Sequence, residues 1–448
     1  LTDRLLLSPS FARHQAQEFV TLMQVQDGRK GTKGPLQDYL AASFRENKSW
    51  DRIFREILVA DDNDPKAKGA SEFVKARVKD IDRLTIDVST VFFGVNVSCA
   101  QCHDHPHVPA WTQDHFYGLK SFFSRTTDVA GFVGEKDFGF VKYVPNKKPE
   151  KTAPVMFLTG TTFDVPGLKE PTKEEKKKDQ DRLESAKKAK KIPKPPQFSL
   201  RAKLVDVALE PTQQTFFARA IVNRLVYRFL GCGLVMPLDQ MHVENPPSHP
   251  ELLHWLARDL ANHQYDLRRL IRGIVLSNTY GRTSRWEGDH VPEAKSFAVA
   301  QVRPLSPMQM AVSLKLATMN QQLPLETQPR EKRLEELAKG SERLALSFPQ
   351  PGVNFQVGVG EALLFANNEA LFRELLSGPD NLVARLETEP DPAKQAVIAI
   401  QTVLSRQAKP EEIQAAVEYL KQRVTRPEQG CQQLVWALLA SPEFRFNH

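Results

Sequence analysis

The run Cys99-Ala100-Gln101-Cys102-His103 constrains this chain more tightly than any other stretch. Two thiols three positions apart, followed at once by an imidazole, meet one planar group only if the backbone makes a helical turn there. A C-x-x-C-H run is the attachment signature of a c-type haem. From one turn, the thiols reach the two vinyl groups of a porphyrin and the histidine comes under the ring with a nitrogen toward the iron. On this reading Cys99 and Cys102 are thioether anchors, His103 is the proximal ligand, and the chain matures outside the cytoplasm. Two other readings stand beside it. Cys99, Cys102 and His103, with one of His105, His107 or His115, suit a zinc ion. A plain thiol pair or a Cys99–Cys102 disulfide needs no metal. A zinc ribbon of four cysteines is excluded, because the sequence has no second C-x-x-C. The absence of a βαβ pattern around the motif argues against a thioredoxin-like role.

Apolar spacing predicts a mainly α-helical fold. Helices are expected at 3–7, 11–25 (capped by Ser10), 36–44, 50–59 (capped by Ser49), 81–93 and 111–123. Gly94 ends the fifth of these just before the motif, and Thr112 caps the sixth. Residues 138–144 and 153–159 read as strands, joined through a turn at Pro145–Pro149 into a small hairpin. From Ser199 onward the pattern is almost purely helical, with runs at 212–230, 250–260, 267–276, 307–318, 330–344, 368–377, 392–404, 410–424 and 430–439. The stretch 347–360 reads as a loop. Between the halves lies a Lys-dense segment closed by Pro193-Lys194-Pro195-Pro196. It reads as a solvated linker or a charged helix. The expected division is a haem-binding domain at 1–165, a charged linker at 166–198 and a helical domain at 199–448.

The net charge of +7 is concentrated in that Lys-dense segment. Glu and Asp interrupt the lysines and no aromatic residue is interleaved for base stacking, so nucleic acid is not an expected partner. No window approaches the apolar length of a transmembrane span. The first residue is Leu1, so a processed, exported product with its signal peptide removed is expected. Two further cysteines, Cys232 and Cys431, are either one disulfide or two buried thiols, and the apolar run Phe229–Leu234 around Cys232 favours the thiols.

Several separate motifs then resemble one known arrangement. Phe93-Gly94-Val95-Asn96-Val97-Ser98, running on through the motif to Asp104-His105-Pro106, resembles the second type of planctomycete cytochrome-c-like domain, as does the aromatic helix His115-Phe116-Tyr117-Gly118-Leu119. Ala220–Leu225, Gly231–Val235, Pro246–Ala257, Ile274–Tyr280 and Trp436–Phe444 resemble its usual partner, a planctomycete-specific C-terminal domain of unknown function. The resemblance implies an exported protein of planctomycete-type bacteria and one haem c, and it implies no particular reaction. Many relatives carry a further cytochrome-like domain upstream; with one motif here, no electron path within the chain is expected. Val226-Tyr227-Arg228-Phe229 stands where the family often has His or Trp.

Beyond Cys99, Cys102 and His103, the candidate site residues are these. The distal position is either open or water-bound, or filled from His115, His249, Met23, Met156, Met236 and Met241, with the two histidines first among these side chains. Ser248-His249-Pro250-Glu251 also reads as a capping box with Ser248 at the cap. Asp104 and His105 either surround the cofactor or a substrate, or form the turn ahead of Pro106. Arg83 and Arg125 are candidates for the haem propionates. Arg224, on an apolar helix face, is expected to tie down a neighbouring helix end. No G-x-S-x-G, H-E-x-x-H or P-loop occurs. The leading expectation is electron transfer or haem-based redox chemistry with a redox partner protein or small electron acceptor. A cell-envelope interaction protein with a helical docking domain, and a zinc-dependent hydrolase using the Cys/His cluster, are the alternatives.

Overall fold

Almost every run of helical spacing becomes a helix. The structure is a computed structural model. It describes residues 1–448 except 25–33, 106, 107, 110, 146–148, 169, 212–214, 321, 322, 325, 351–364, 366, 367, 424–426 and 448. Its described residues form 20 α-helices and four two-stranded antiparallel pairs, a mainly helical fold. The chain divides into two compact units, one running to Ala300 and the other beginning at Gln301.

The first unit holds α1 (Thr2–Leu6), α2 (Pro9–Met23), α3 (Pro35–Arg45), α4 (Trp50–Val59), α5 (Glu72–Lys75), α6 (Ile81–Phe93), α7 (Gln113–Ser121), α8 (Lys173–Ala189), α9 (Leu200–Leu209), α10 (Thr215–Leu230), α11 (Pro250–Asn262) and α12 (Leu267–Val275). Helix α4 buries Trp50, Ile53, Phe54, Ile57 and Leu58, the face its spacing predicts. Those side chains meet α6 and α10: the Phe54 ring lies 4.8 Å from Phe92 and 4.6 Å from Phe217. Each buried aromatic of this kind contributes roughly 1.5–3 kcal/mol by leaving water. The pairing of rings adds about 0.5–1.5 kcal/mol. This core draws on both halves of the sequence. The boundary expected at 166–198 therefore falls inside the first unit, because α10 packs on α6 across it.

The Lys-dense segment is helix α8. Thr172 and Glu175 form a capping box at its start. Glu174 and Glu175 occupy its first turn and Lys187 and Lys188 its last, which complements the helix dipole. Arg182 fastens it by donating to Asp179 Oδ1 (2.6 Å) and to the carbonyl of Glu135 (2.7 Å).

The strands are shorter and more numerous than expected. β1 (Thr126–Val129) and β2 (Phe132–Glu135) form a hairpin whose two loop residues, Ala130 and Gly131, both have positive φ. The expected strand 138–144 contributes β3 (Lys142–Tyr143), which pairs with β4 (Lys151–Thr152) and is extended by the Ala153 N–H to the Val141 carbonyl (2.8 Å). β5 (Val155–Met156) instead turns back on β6 (Thr162–Phe163). The middle of the expected Pro145–Pro149 turn lies outside the described residues.

Two caps also differ. Ser8, rather than Ser10, accepts from Phe11 N and starts α2 at Pro9. The box expected at Ser248 does not form: His249 is the cap residue of α11, and the Ser248 hydroxyl donates to the Leu234 carbonyl (3.3 Å).

The second unit contains α13 (Pro307–Thr318), α14 (Thr327–Ala345), α15 (Glu369–Leu376), α16 (Leu382–Glu387), α17 (Pro392–Leu404), α18 (Pro410–Lys421), α19 (Pro427–Leu439) and α20 (Pro442–Arg445). Its closing strand β8 (Phe446–Asn447) pairs with β7 (Arg303–Pro304). Leu314, Leu382, Ala399, Val435 and Leu439 form the centre of its core. Most of the expected loop at 347–360 lies outside the described residues. Cys431 is buried here and Cys232 in the first unit, both as free thiols. Burial pushes the Cys431 thiol up to about 11, which suits an inert core residue. No described helix is long and apolar enough to cross a membrane.

Candidate functional site

The C-x-x-C-H motif leaves the end of α6. Asp80 caps the start of that helix and Gly94 ends it in the left-handed conformation at φ 66°. A side chain at Gly94 would meet Ala220 Cβ at 3.3 Å, so glycine serves both the turn and the approach of α10. Asn96 Oδ1 then accepts from Ser98 N (3.1 Å), a side-chain-closed turn that starts the 3₁₀ helix Ser98–Gln101. Three positions apart on a turn of three residues, Cys99 and Cys102 are both exposed free thiols, while Ala100 between them is buried.

His103 follows, exposed, with Nδ1 2.7 Å from the backbone oxygen of Asp104. A carbonyl oxygen can only accept, so Nδ1 carries the proton. In the neutral ring Nε2 then holds the lone pair. That is the tautomer and the hydrogen bond that a metal-ligating histidine adopts.

Asp104 ties the turn to the next helix: its Oδ1 accepts from Gln113 N, the first residue of α7, at 3.1 Å. The same helix holds Gln101, whose carbonyl accepts from Gln113 Nε2 and Tyr117 Oη at 3.2 Å each. His105 is buried. Its N–H donates to the Trp111 carbonyl (2.8 Å), and its ring stands edge-on to Trp111 with centroids 5.6 Å apart. His107 lies outside the described residues.

The remaining candidates each have partners of their own. His115 Nδ1 accepts from Thr112 N (3.3 Å) at the start of α7, so it serves as a cap, and burial lowers its pKa. His249 is exposed at the start of α11, its Nδ1 3.1 Å from Ser248 Oγ and its ring against Phe297. Arg125 is buried and donates to the carbonyls of Gly139 (3.3 Å) and Pro166 (2.5 Å). Arg83, in the opening turn of α6, donates to Asp87 and to Gln24 Oε1, both at 2.8 Å. Met156 is buried against Gly118. Arg224 does what its position suggests, donating to the Thr90 carbonyl near the end of α6 (2.5 Å). Among the described residues no three His, Cys, Asp or Glu side chains are grouped as a bound metal ion requires.

One contributor was not legible in the sequence. His242 brings its ring 5.7 Å from Trp111 and 6.1 Å from His105. It stands between two stretches of distinctive sequence, and no local spacing marks it.

Compared with known families, residues 1–128 match PSCyt2, described as a protein of unknown function (DUF1549). Residues 200–345 match PSD1, likewise described as a protein of unknown function (DUF1553). The chain carries a PSCyt2 segment followed by a PSD1 segment. PSCyt2 is the planctomycete cytochrome-c-like family. No curated protein and no solved structure matches the chain. The motif lies in PSCyt2, and α10 to α12 of PSD1 belong to the same compact unit.

The cytochrome-like family implies a haem, and the donor set fits one. Two accessible thiols stand one turn apart, next to an accessible imidazole whose Nδ1 is already fixed by a carbonyl. All three groups face solvent, so the fit is to a haem carried at the surface of the first unit.

Proposed function

We propose that this chain is an exported protein carrying one c-type haem, working in electron transfer or haem-based redox chemistry. The observation that carries the reading is the His103 Nδ1 contact with the Asp104 oxygen, beside two free exposed thiols. Cys99 and Cys102 would hold the porphyrin through thioether bonds, and Nε2 of His103 would face the iron. The Asp104 carbonyl fixes the imidazole tautomer and raises its basicity, and the Asp104 carboxylate anchors the turn to α7. When bound, the haem supplies one-electron redox chemistry. A redox partner protein or small electron acceptor would approach the exposed side of the motif. The test is the full chain, exported in a host with c-type haem maturation. A c-type pyridine haemochrome band and a denatured mass higher by one haem are expected. A bare-chain mass, under conditions that load a control cytochrome, sinks the reading.

A further inference from the structure

We propose that the PSD1 segment supplies part of this site: its loop at 236–242 clamps the C-x-x-C-H turn, with His242 as a positioning residue. The proposal rests on the haem reading of Cys99, Cys102 and His103.

The motif cannot hold its own shape. Its helical part is four residues of 3₁₀ helix, one turn, and a single turn is marginal without outside contacts. Its chemical groups face solvent and add no core packing. Support therefore comes from neighbours on either side. Helix α7, part of PSCyt2, holds the middle of the turn through Gln101 and Asp104.

The loop from PSD1 holds both ends. At the entry, Asn96 N donates to the Asp239 carbonyl (2.8 Å) and Met241 N donates to the Gly94 carbonyl (3.0 Å). Val95 and Gln240 form a β-bridge between these two bonds. Asn96 Nδ2 reaches Asp239 Oδ2 at 3.3 Å. At the exit, the His242 ring sits edge-on to Trp111, which accepts the His105 N–H. His242 is itself oriented by Nε2 at 3.2 Å from Gln240 Oε1, one residue from the bond that closes on Gly94. A stretch of seven residues therefore fixes the distance between the two ends of the motif.

That distance matters because two thioethers and one iron ligand must share a single rigid ring. The geometric tolerance of such a site is about 0.5 Å. PSCyt2 and PSD1 would then be two parts of one site rather than a carrier followed by a separate module.

The test compares the full chain with its His242→Ala and His242→Phe variants, with Asp239→Ala as a milder perturbation of the entry. Thermal melts by circular dichroism establish folding. Amide hydrogen exchange is read at Asn96, His105 and Met241. Haem loading and the reduced spectrum are read after maturation. His242→Ala removes ring contacts, and exchange at His105 should rise about tenfold. The haem-loaded fraction should fall several-fold, and His242→Phe, which keeps a ring, should restore both. Wild-type exchange in His242→Ala overturns the clamp. Faster exchange with full loading and an unchanged reduced spectrum reduces it to a structural contact and overturns the functional claim. If even the wild-type chain takes no haem, the haem reading fails, and the exchange data alone decide the clamp.

Discussion

Replacing Glu135 with alanine isolates the contact that fastens the β1–β2 hairpin to the helical core. Glu135 is 2 % exposed. Its Oε1 accepts from Leu200 N (2.6 Å), and its Oε2 accepts from Ser199 Oγ (2.6 Å), so it caps α9 from a distant part of the chain. Arg201 Nε lies 3.5 Å from the same carboxylate, and its Nη1 donates to the carbonyls of Leu58 and Val59 at the end of α4. Burial pushes the Arg201 pKa down, and the Glu135 charge opposes that shift. Removing the carboxylate strands a buried guanidinium, at a cost of about 3–5 kcal/mol. The lost cap adds about 1 kcal/mol. Glu135→Gln keeps an acceptor oxygen and loses the charge, so its cost should be intermediate. In an Arg201→Met background no charge is stranded, and Glu135→Ala should cost several-fold less. The assay is urea unfolding followed by far-ultraviolet circular dichroism, with the four chains of the cycle compared. A Glu135→Ala chain within about 1 kcal/mol of wild type, or an equal cost in both backgrounds, would refute the reasoning.

Further outcomes follow from other sites. Burial, then the neighbouring Arg228 charge, push His14 from 6.5 down to about 4. Between those pH values the unfolded chain binds more protons, so stability falls with acidification by about 3 kcal/mol in all. His14→Gln should flatten that part of the stability–pH curve, and an unchanged slope refutes it. Gly94→Ala should cost about 1–2 kcal/mol, because a left-handed residue gains a side chain against Ala220; a denaturation midpoint equal to wild type counts against this. Cys99→Ser and Cys102→Ser should each leave at most one thioether, and the doubly substituted chain should lose any haem on acid–acetone extraction; haem retained by that chain counts against the thioether anchors. His103→Ala should keep the covalent mass increase and move the Soret band; an unmoved band removes His103 as the ligand.

Helix α4 shows what local pattern carries. Trp50, Ile53, Phe54, Ile57 and Leu58 mark its buried face, and its bounds agree with the expectation to the residue. α6 and α13 also begin and end at the expected residues, and Gly94 ends α6 as expected. The motif was equally legible, because Cys99, Cys102 and His103 are neighbours in sequence and need only one turn to meet. The contacts of Arg83 with Gln24, of Arg125 with Gly139 and Pro166, and of the His249 ring with Phe297 were not, since those partners lie far away in sequence. Arg125 is one such case, since its carbonyl partners Gly139 and Pro166 come from separate loops.

The sequence by itself determined the helices, the helix end at Gly94 and the cysteine–histidine turn, because these depend on side chains within a few residues of each other. Tertiary structure decided where the chain divides, that the lysine-dense segment is a fastened helix, and that His242 joins the motif. Those outcomes are set by contacts between distant segments: α10 on α6, Arg182 on Glu135, and the 236–242 loop on Gly94 and Asn96. Burial of apolar surface is non-directional, so a local pattern shows which face must be covered and leaves open which distant segment covers it.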